Sequence, residues 1–248
     1  MSKKICLDAG HYGKYNRSPV VKDYYESNMN WKLHLMLKKY LEGYGFEVIT
    51  TREEQEKDLA LYDRGKTAKG CDLFMSLHSN AAYSTGDVPD GGVHKNEYVD
   101  RVDIYATLDG RVHDLAKRLA DKIVDVMGTD QGGNVKTKKS GSGGEYYGVL
   151  RGAAAVGVPG MLVEHSFHTN TRAAKWLLDE ANLDKLAKAE AEILAEYFGM
   201  EAKPEQPEQP DTLYRVQVGA YAVRDNAEKQ LAAIKAAGFT NAYITTRK

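Results

Sequence analysis

Residues 71–81, Cys71-Asp72-Leu73-Phe74-Met75-Ser76-Leu77-His78-Ser79-Asn80-Ala81, open as a strongly apolar strand, Asp72–His78, with a histidine at its carboxyl end. Ile5–Leu7 repeats the pattern near the N-terminus and runs into Asp8-Ala9-Gly10-His11. Between these strands, Met29, Leu33, Met36, Leu37 and Tyr40 recur at helical spacing, with Ser27 as the expected N-cap and Gly43 and Gly45 as the stop. Phe46–Thr51 reads as a strand and Leu59–Lys69 as a helix. Downstream, Val112, Leu115, Leu119, Ile123 and Val126 mark a long helix. Tyr146–Leu150 and Gly160–Glu164 read as strands, and Asp184–Phe198 as an amphipathic helix. Ser84–Leu108 and Gln131–Glu145 read as polar, glycine-containing loops. The alternation predicts an α/β fold, a mainly parallel twisted sheet covered by helices on both faces. Reactive groups on such sheets gather at the carboxyl ends of strands, where Asp8 to His11, His78 and Glu164 all fall.

The 248 residues carry 34 Lys+Arg against 35 Asp+Glu, so no bulk positive charge points to nucleic acid as a partner. No apolar run approaches membrane-spanning length, which argues against membrane insertion. Met1-Ser2-Lys3-Lys4 is followed by only three apolar residues, too few for a secretory signal. The expectation is a chain made in the cytoplasm that reaches an outside substrate only after release. Cys6 and Cys71 each sit in a short apolar run and read as buried free thiols. Residues 201–211, EAKPEQPEQPD, hold three of the six prolines and read as an extended linker. The linker separates a main domain, 1–200, from a tail, 212–248. In the tail Tyr214–Tyr221 alternates like a strand, Asn226–Ala237 reads as a helix and Phe239–Thr245 as a second strand, a small C-terminal βαβ unit.

Three side chains stand out as candidate metal ligands: His11 after the first strand, Glu26 at the start of the first helix, and His78. Two imidazoles and one carboxylate form a catalytic zinc set with a fourth position open to water. Taken singly, each has a plainer reading: a hydrogen-bonded histidine, or a glutamate offsetting a helix dipole. Glu164 follows Met161-Leu162-Val163, where a carboxylate is costly unless paired or coordinated. It is either half of a buried ion pair or a general base.

Together these segments resemble the zinc-dependent N-acetylmuramoyl-L-alanine amidases of the third amidase class, which include phage endolysins and bacterial autolysins. The resemblance runs through residues 3–198 and rests on LDAGH at 7–11, Glu26, GFEVITTR at 45–52, LYDRGKTA at 61–68, CDLFMSLHSNA at 71–81, VLRGA at 149–153 and VGVPGMLVEHSFHTN at 156–170. It implies Zn2+ held by His11, Glu26 and His78, with Glu164 as the catalytic carboxylate. It also implies peptidoglycan as the partner, cleaved at the amide between N-acetylmuramic acid and L-alanine. The chain departs from the family pattern at Tyr12, where glycine is common, and at His165-Ser166-Phe167-His168. Strand alternation would put Glu164, Ser166 and His168 on one face, with His168 either assisting at the substrate oxygen or joining a polar cluster with Thr169 and Asn170. Arg52 and Arg64 read as partners for carboxylates, and Asp8 as either an orienter of a ligand histidine or a turn former. The tail is similar to one half of a SPOR peptidoglycan-binding domain. Such a half buries too little to stand alone, so a homodimer through the tail is expected, with docking on the main domain as the alternative. Two rival functions share these features: a catalytically silent wall-binding protein, and a zinc peptidase or deacetylase acting on another amide.

Overall fold

The computed structural model describes residues 2–84, 94–95, 98–202 and 216–246. The chain divides into two compact units, Met1–Glu205 and Gln206–Lys248. In the first, β1 (Lys4–Ala9), β2 (Glu47–Thr50), β3 (Leu73–Asn80), β6 (Val102–Ala106), β7 (Gly133–Lys136) and β8 (Gly160–Phe167) form one six-stranded sheet in the order β2-β1-β3-β8-β6-β7. Every neighbouring pair is parallel except β6 and β8, which run antiparallel. Two short strands, β4 (Tyr83–Ser84) and β5 (His94–Lys95), pair separately.

Side chains on a strand alternate between faces, and the two hydrophobic clusters follow that rule. Ile5, Leu7, Leu73, Met75, Leu77, Met161 and Val163 point to one face. There they are covered by α1 (Glu26–Gly43), α3 (His113–Met127), α5 (Thr171–Leu178) and α6 (Glu180–Phe198). Cys6, Phe74 and Leu162 point to the other, under α2 (Leu61–Lys66) and α4 (Gly148–Ala155). The predicted mainly parallel sheet with helices on both faces is therefore present. Cys6 and Cys71 are free and buried, as expected.

α2 and α4 meet backbone to backbone. A Cβ on Gly65 would lie 2.0 Å from the Val149 carbonyl oxygen, and one on Gly152 would lie 2.1 Å from that of Tyr62. This close approach lets Arg64, carried on α2, reach the end of β1.

Several predicted elements are corrected. β6 lies inside the expected loop Ser84–Leu108: Val102, Ile104 and Ala106 are buried on one face while Asp103 and Tyr105 alternate with them. β7 lies inside the expected loop Gln131–Glu145 as a short edge strand. Tyr146–Leu150, read as a strand, instead leads into α4, because the apolar run serves the glycine contact with α2. Ser27 is not the N-cap of α1; Tyr25 holds that position. The Ser27 hydroxyl donates to the Gly13 carbonyl at 2.7 Å and accepts from the Tyr15 amide at 2.8 Å, tying down the loop after His11.

α1 also buries His34, whose ring nitrogen bonds the Trp31 carbonyl. Burial pushes its pKa down to about 4. The unfolded chain protonates this histidine near its ordinary value of about 6.5, so as pH falls from there toward 4 the unfolded state gains a proton that the folded state refuses. Stability should drop by about 3 kcal/mol across that window, less whatever other groups contribute. Urea melts at pH 7.5 and pH 4.5 measure it, and His34→Gln should flatten the dependence. An unchanged slope in the variant would assign the effect elsewhere.

The second unit contains α7 (Arg224–Ala236), which matches the predicted helix and buries none of its side chains. The two flanking strands of the expected βαβ unit are absent among the described residues 216–246. Alternating sequence makes a strand only when a neighbour accepts its hydrogen bonds, and no ladder partner is described here. The linker residues 203–211 and the start of the tail, 212–215, lie outside the described residues. No described helix is long and apolar enough to cross a membrane.

Candidate metal centre

The end of β1 is tied at nearly every polar atom. Asp8, fully buried, accepts from Thr51 Oγ1 at 2.6 Å and Ser76 Oγ at 2.7 Å, and lies 3.5 Å from Arg64 Nη1. Asp8 therefore anchors the strand, and its described partners do not include a histidine. The Ala9 carbonyl accepts from Arg52 at 2.8 Å and Arg64 at 3.2 Å. The Gly10 amide donates to the Leu77 carbonyl at 3.0 Å, and the Gly10 carbonyl accepts from Asn30 at 3.1 Å. Arg64 pairs with carboxylates, Asp8 and Asp58, as expected. Arg52 forms no ion pair among the described residues: it donates to the carbonyls of Ala9, Glu54 and Gln55, with its guanidinium 5.0 Å over the Trp31 ring.

On this platform His11 turns out at φ 62°, a conformation that costs a non-glycine residue about 1 kcal/mol or more. Its ring stacks on Tyr15 at 4.8 Å, and its Nε2 lies 3.2 Å from Glu26 Oε2. His78, late on β3, brings Nδ1 to 2.8 Å from Glu26 Oε1. The ligand atoms of His11, Glu26 and His78 all lie within 4.8 Å of one another. Asn16 Nδ2 donates to Glu26 Oε2 at 2.6 Å and the Ser79 amide to Oε1 at 3.1 Å, fixing the carboxylate. Burial pushes the Glu26 pKa up, but the hydrogen bonds and charges of His11 and His78 outweigh it and hold the group well below the usual range.

Glu164 sits on β8 directly opposite His78 in the ladder. It is half-buried at the residue level, yet its Oε2 is buried without a hydrogen-bond partner. Burial first, then the charges of Glu26 and Asp103, push its carboxyl well above the ordinary value, with Lys136 opposing. Two carboxylates converging beside two imidazoles, one oxygen unsatisfied, are what a divalent cation would complete. The donor set suits zinc. The plainer reading of Glu164 as half of a buried ion pair finds no paired cation among the described residues.

The segment after Glu164 departs from regular alternation. Ser166 has φ 60°, and β8 slips register against β3 between His78 and Asn80, the signature of a bulge. The Ser166 hydroxyl donates to Asp100 Oδ1 at 2.7 Å, and Asp100 Oδ2 accepts from Arg172 Nε at 2.7 Å. His168 does not continue the Glu164 face. Its Nδ1 lies 3.0 Å from both Ser79 Oγ and the Ser79 carbonyl, its ring stacks on Tyr24 at 6.0 Å, and its carbonyl accepts from Ser18. Burial lowers its pKa.

A buried pair behind the site was not legible as functional. His165 Nδ1 donates to the His78 carbonyl at 2.9 Å, and its Nε2 lies 2.6 Å from Glu190 Oε1; both residues are fully buried. The pair holds the backbone of a candidate ligand. Its signal was Glu190 itself, a carboxylate placed on the buried stripe Leu183, Leu186, Ala187, Ala191 and Leu194 of α6.

The N-acetylmuramoyl-L-alanine amidase family model (Amidase_3) matches residues 5–196. The chain belongs to this family. The reaction of this amidase is hydrolysis of the amide between N-acetylmuramic acid and L-alanine in peptidoglycan. It is 26% identical to the N-acetylmuramoyl-L-alanine amidase CwlM of Bacillus licheniformis over 243 residues, covering 95% of this chain and 82% of that one. Its fold is that of the catalytic domain of CwlV from Bacillus (Paenibacillus) polymyxa, with TM-score 0.60 and 21% identity over 80% of this chain and 99% of that one. Cwp6 from Clostridium difficile superposes with TM-score 0.63 and 23% identity, over 79% of the amidase but only 29% of the larger chain. A SPOR domain model matches residues 180–246. Its first stretch is α6, whose buried residues belong to the core of the first unit.

Proposed function

We propose that this amidase works with a zinc ion held by His11, Glu26 and His78, and that Glu164 is its proton-transfer group. The observation that carries the reading is the meeting of three ligand atoms from β1's exit loop, the start of α1 and late β3, with Glu164 one strand away. Zinc bound there supplies Lewis acidity, lowering the pKa of water and polarising a carbonyl. Glu164 accepts a proton from the attacking water and delivers it to the leaving alanine nitrogen. Burial, then the charges of Glu26 and Asp103, raise its pKa, which strengthens the carboxylate as a proton acceptor. His165 and Glu190 hold the His78 carbonyl, and Asn16 and the Ser79 amide hold Glu26, so the ligands are positioned before the ion arrives.

Digestion of purified walls followed by mass spectrometry tests the reading. New alanine N-termini should appear without new reducing sugar ends, a chelator should abolish them, and added zinc should restore them. Reducing ends, or chelator-resistant cleavage, would overturn it.

The same proposal extends to organisation: residues 1–200 as the catalytic domain, 201–211 as the linker, and 212–248 as half a SPOR-like unit that binds glycan and pairs with a second copy. Val216, Val218, Tyr221, Phe239 and Tyr243 are exposed, an apolar load that one helix cannot cover and a paired unit can. Light scattering of the full 27.5 kDa chain at micromolar concentration should return twice that mass. A monomer would remove the pairing.

A further inference from the structure

The sheet face that carries the candidate site does not stop at Glu164. Glu164 stands opposite Asp103 on β6, and Asp103 opposite Asn134 on β7. One step along, Leu162 stands opposite Tyr105, and Tyr105 opposite Lys136. Residues paired across strands project to the same face, so the row His78, Glu164, Asp103 and Asn134 and the adjoining row Leu162, Tyr105 and Lys136 lie side by side on one face. Strands are spaced about 4.8 Å apart, which puts β7 about 10 Å from Glu164. An extended peptide covers that distance in about three residues.

The far end of the row is basic. Asp103 is buried, and it takes Arg101 Nε at 3.2 Å, Lys136 Nζ at 2.8 Å and Asn134 Nδ2 at 3.0 Å. Two cations on one carboxylate leave a positive excess, and both remain about one-third exposed, at 31% and 35%. Lys138 adds a further ammonium. It is exposed, pairs with no carboxylate among the described residues, and lies 3.8 Å over the Tyr146 ring. The turn that carries it is fixed: the Tyr146 amide donates to the Lys138 carbonyl at 3.0 Å, and Ser140 bonds the Gly144 carbonyl across the turn. Arg151 Nη1 clamps the carbonyls of Glu145 and Tyr146. Lys136 lies close enough to Glu164 for its charge to act on that carboxyl, so the basic end and the reacting centre share one field.

We infer that Lys136 and Lys138 form a subsite for a free carboxylate on the stem peptide, carried two to three residues beyond the scissile amide. The inference rests on the amidase reading and deepens it by stating a substrate preference. An ammonium held over an aromatic ring is preorganised and keeps its charge, and such a group discriminates an anion from its amide.

The test compares two muramyl tripeptides of equal length, one with the side and α-carboxylates of its second and third residues free, the other with them amidated. With wild-type enzyme, kcat/KM should favour the free acid by about tenfold, and in the Lys136→Met/Lys138→Met variant the ratio should fall to about twofold. Because each ratio is taken within one enzyme, a general loss of folding or turnover in the variant cancels. A wild-type ratio near one, or a ratio that survives the double substitution, overturns the subsite and leaves the amidase reading standing. An enzyme that binds zinc and cleaves neither peptide brings down both.

Discussion

Glu164→Gln should retain one zinc per chain and lose about a thousandfold in turnover. Gln keeps the volume and the polar end but cannot accept a proton, and positioned general acid–base groups contribute about 10²–10⁴-fold. The substitution suits the site sterically, since Oε2 of Glu164 makes no hydrogen bond that the amide would forfeit. It also removes the repulsion between Glu164 and Glu26 that contributes to the raised pKa, so the fold should not suffer. Zinc stoichiometry and rate on a muramyl peptide, measured on the same sample, separate loss of metal from loss of chemistry. Turnover within tenfold of the parent, at full zinc occupancy, would take the proton-transfer role away from Glu164.

Gly10→Ala should weaken zinc binding about 10- to 100-fold, with activity falling in step, although residue 10 holds no ligand atom. An alanine Cβ would lie 2.3 Å from His78 Cε1, 2.5 Å from His78 Nε2 and 2.6 Å from the Leu77 carbonyl oxygen. The imidazole can swing aside only by leaving Glu26. The Leu77 carbonyl cannot retreat without stretching its 3.0 Å bond from the Gly10 amide, which joins β1 to β3. Overpacking of this kind costs about 1–3 kcal/mol of stability as well. Competition against a chromogenic chelator reads the affinity, and a melt of the zinc-free protein reads the stability. A variant with parental zinc affinity would show that His78 has another way to reach the metal.

The elements that position the site were legible because their signals are local. β1, β3 and β8 are apolar runs of the length a doubly covered strand needs, and α1, α3 and α6 show helical spacing. Alternation in Val102-Asp103-Ile104-Tyr105-Ala106 was equally local, but polar residues around it disguised β6 as part of a loop. α4 was misread because a five-residue apolar run fits strand and helix alike, and Gly65, more than eighty residues upstream, decides between them.

Within the site, residue types and places raised His11 and His78 after strands, Glu26 at a helix start and Glu164 after an apolar run as candidates, and the family resemblance supplied their roles. The local pattern could not carry the partners. Asp8 reads locally as an orienter of a ligand histidine or a turn former, and in the fold it bonds Thr51, Ser76 and Arg64. His168 was assigned to the Glu164 face until a bulge at Ser166 turned the chain. His165 meets Glu190 only because α6 packs behind β8. Periodicity is written by neighbours a few residues apart, so it survives in the chain. A hydrogen bond between groups 25 to 150 positions apart depends on where packing brings them, and that is decided when the two faces of the sheet are covered.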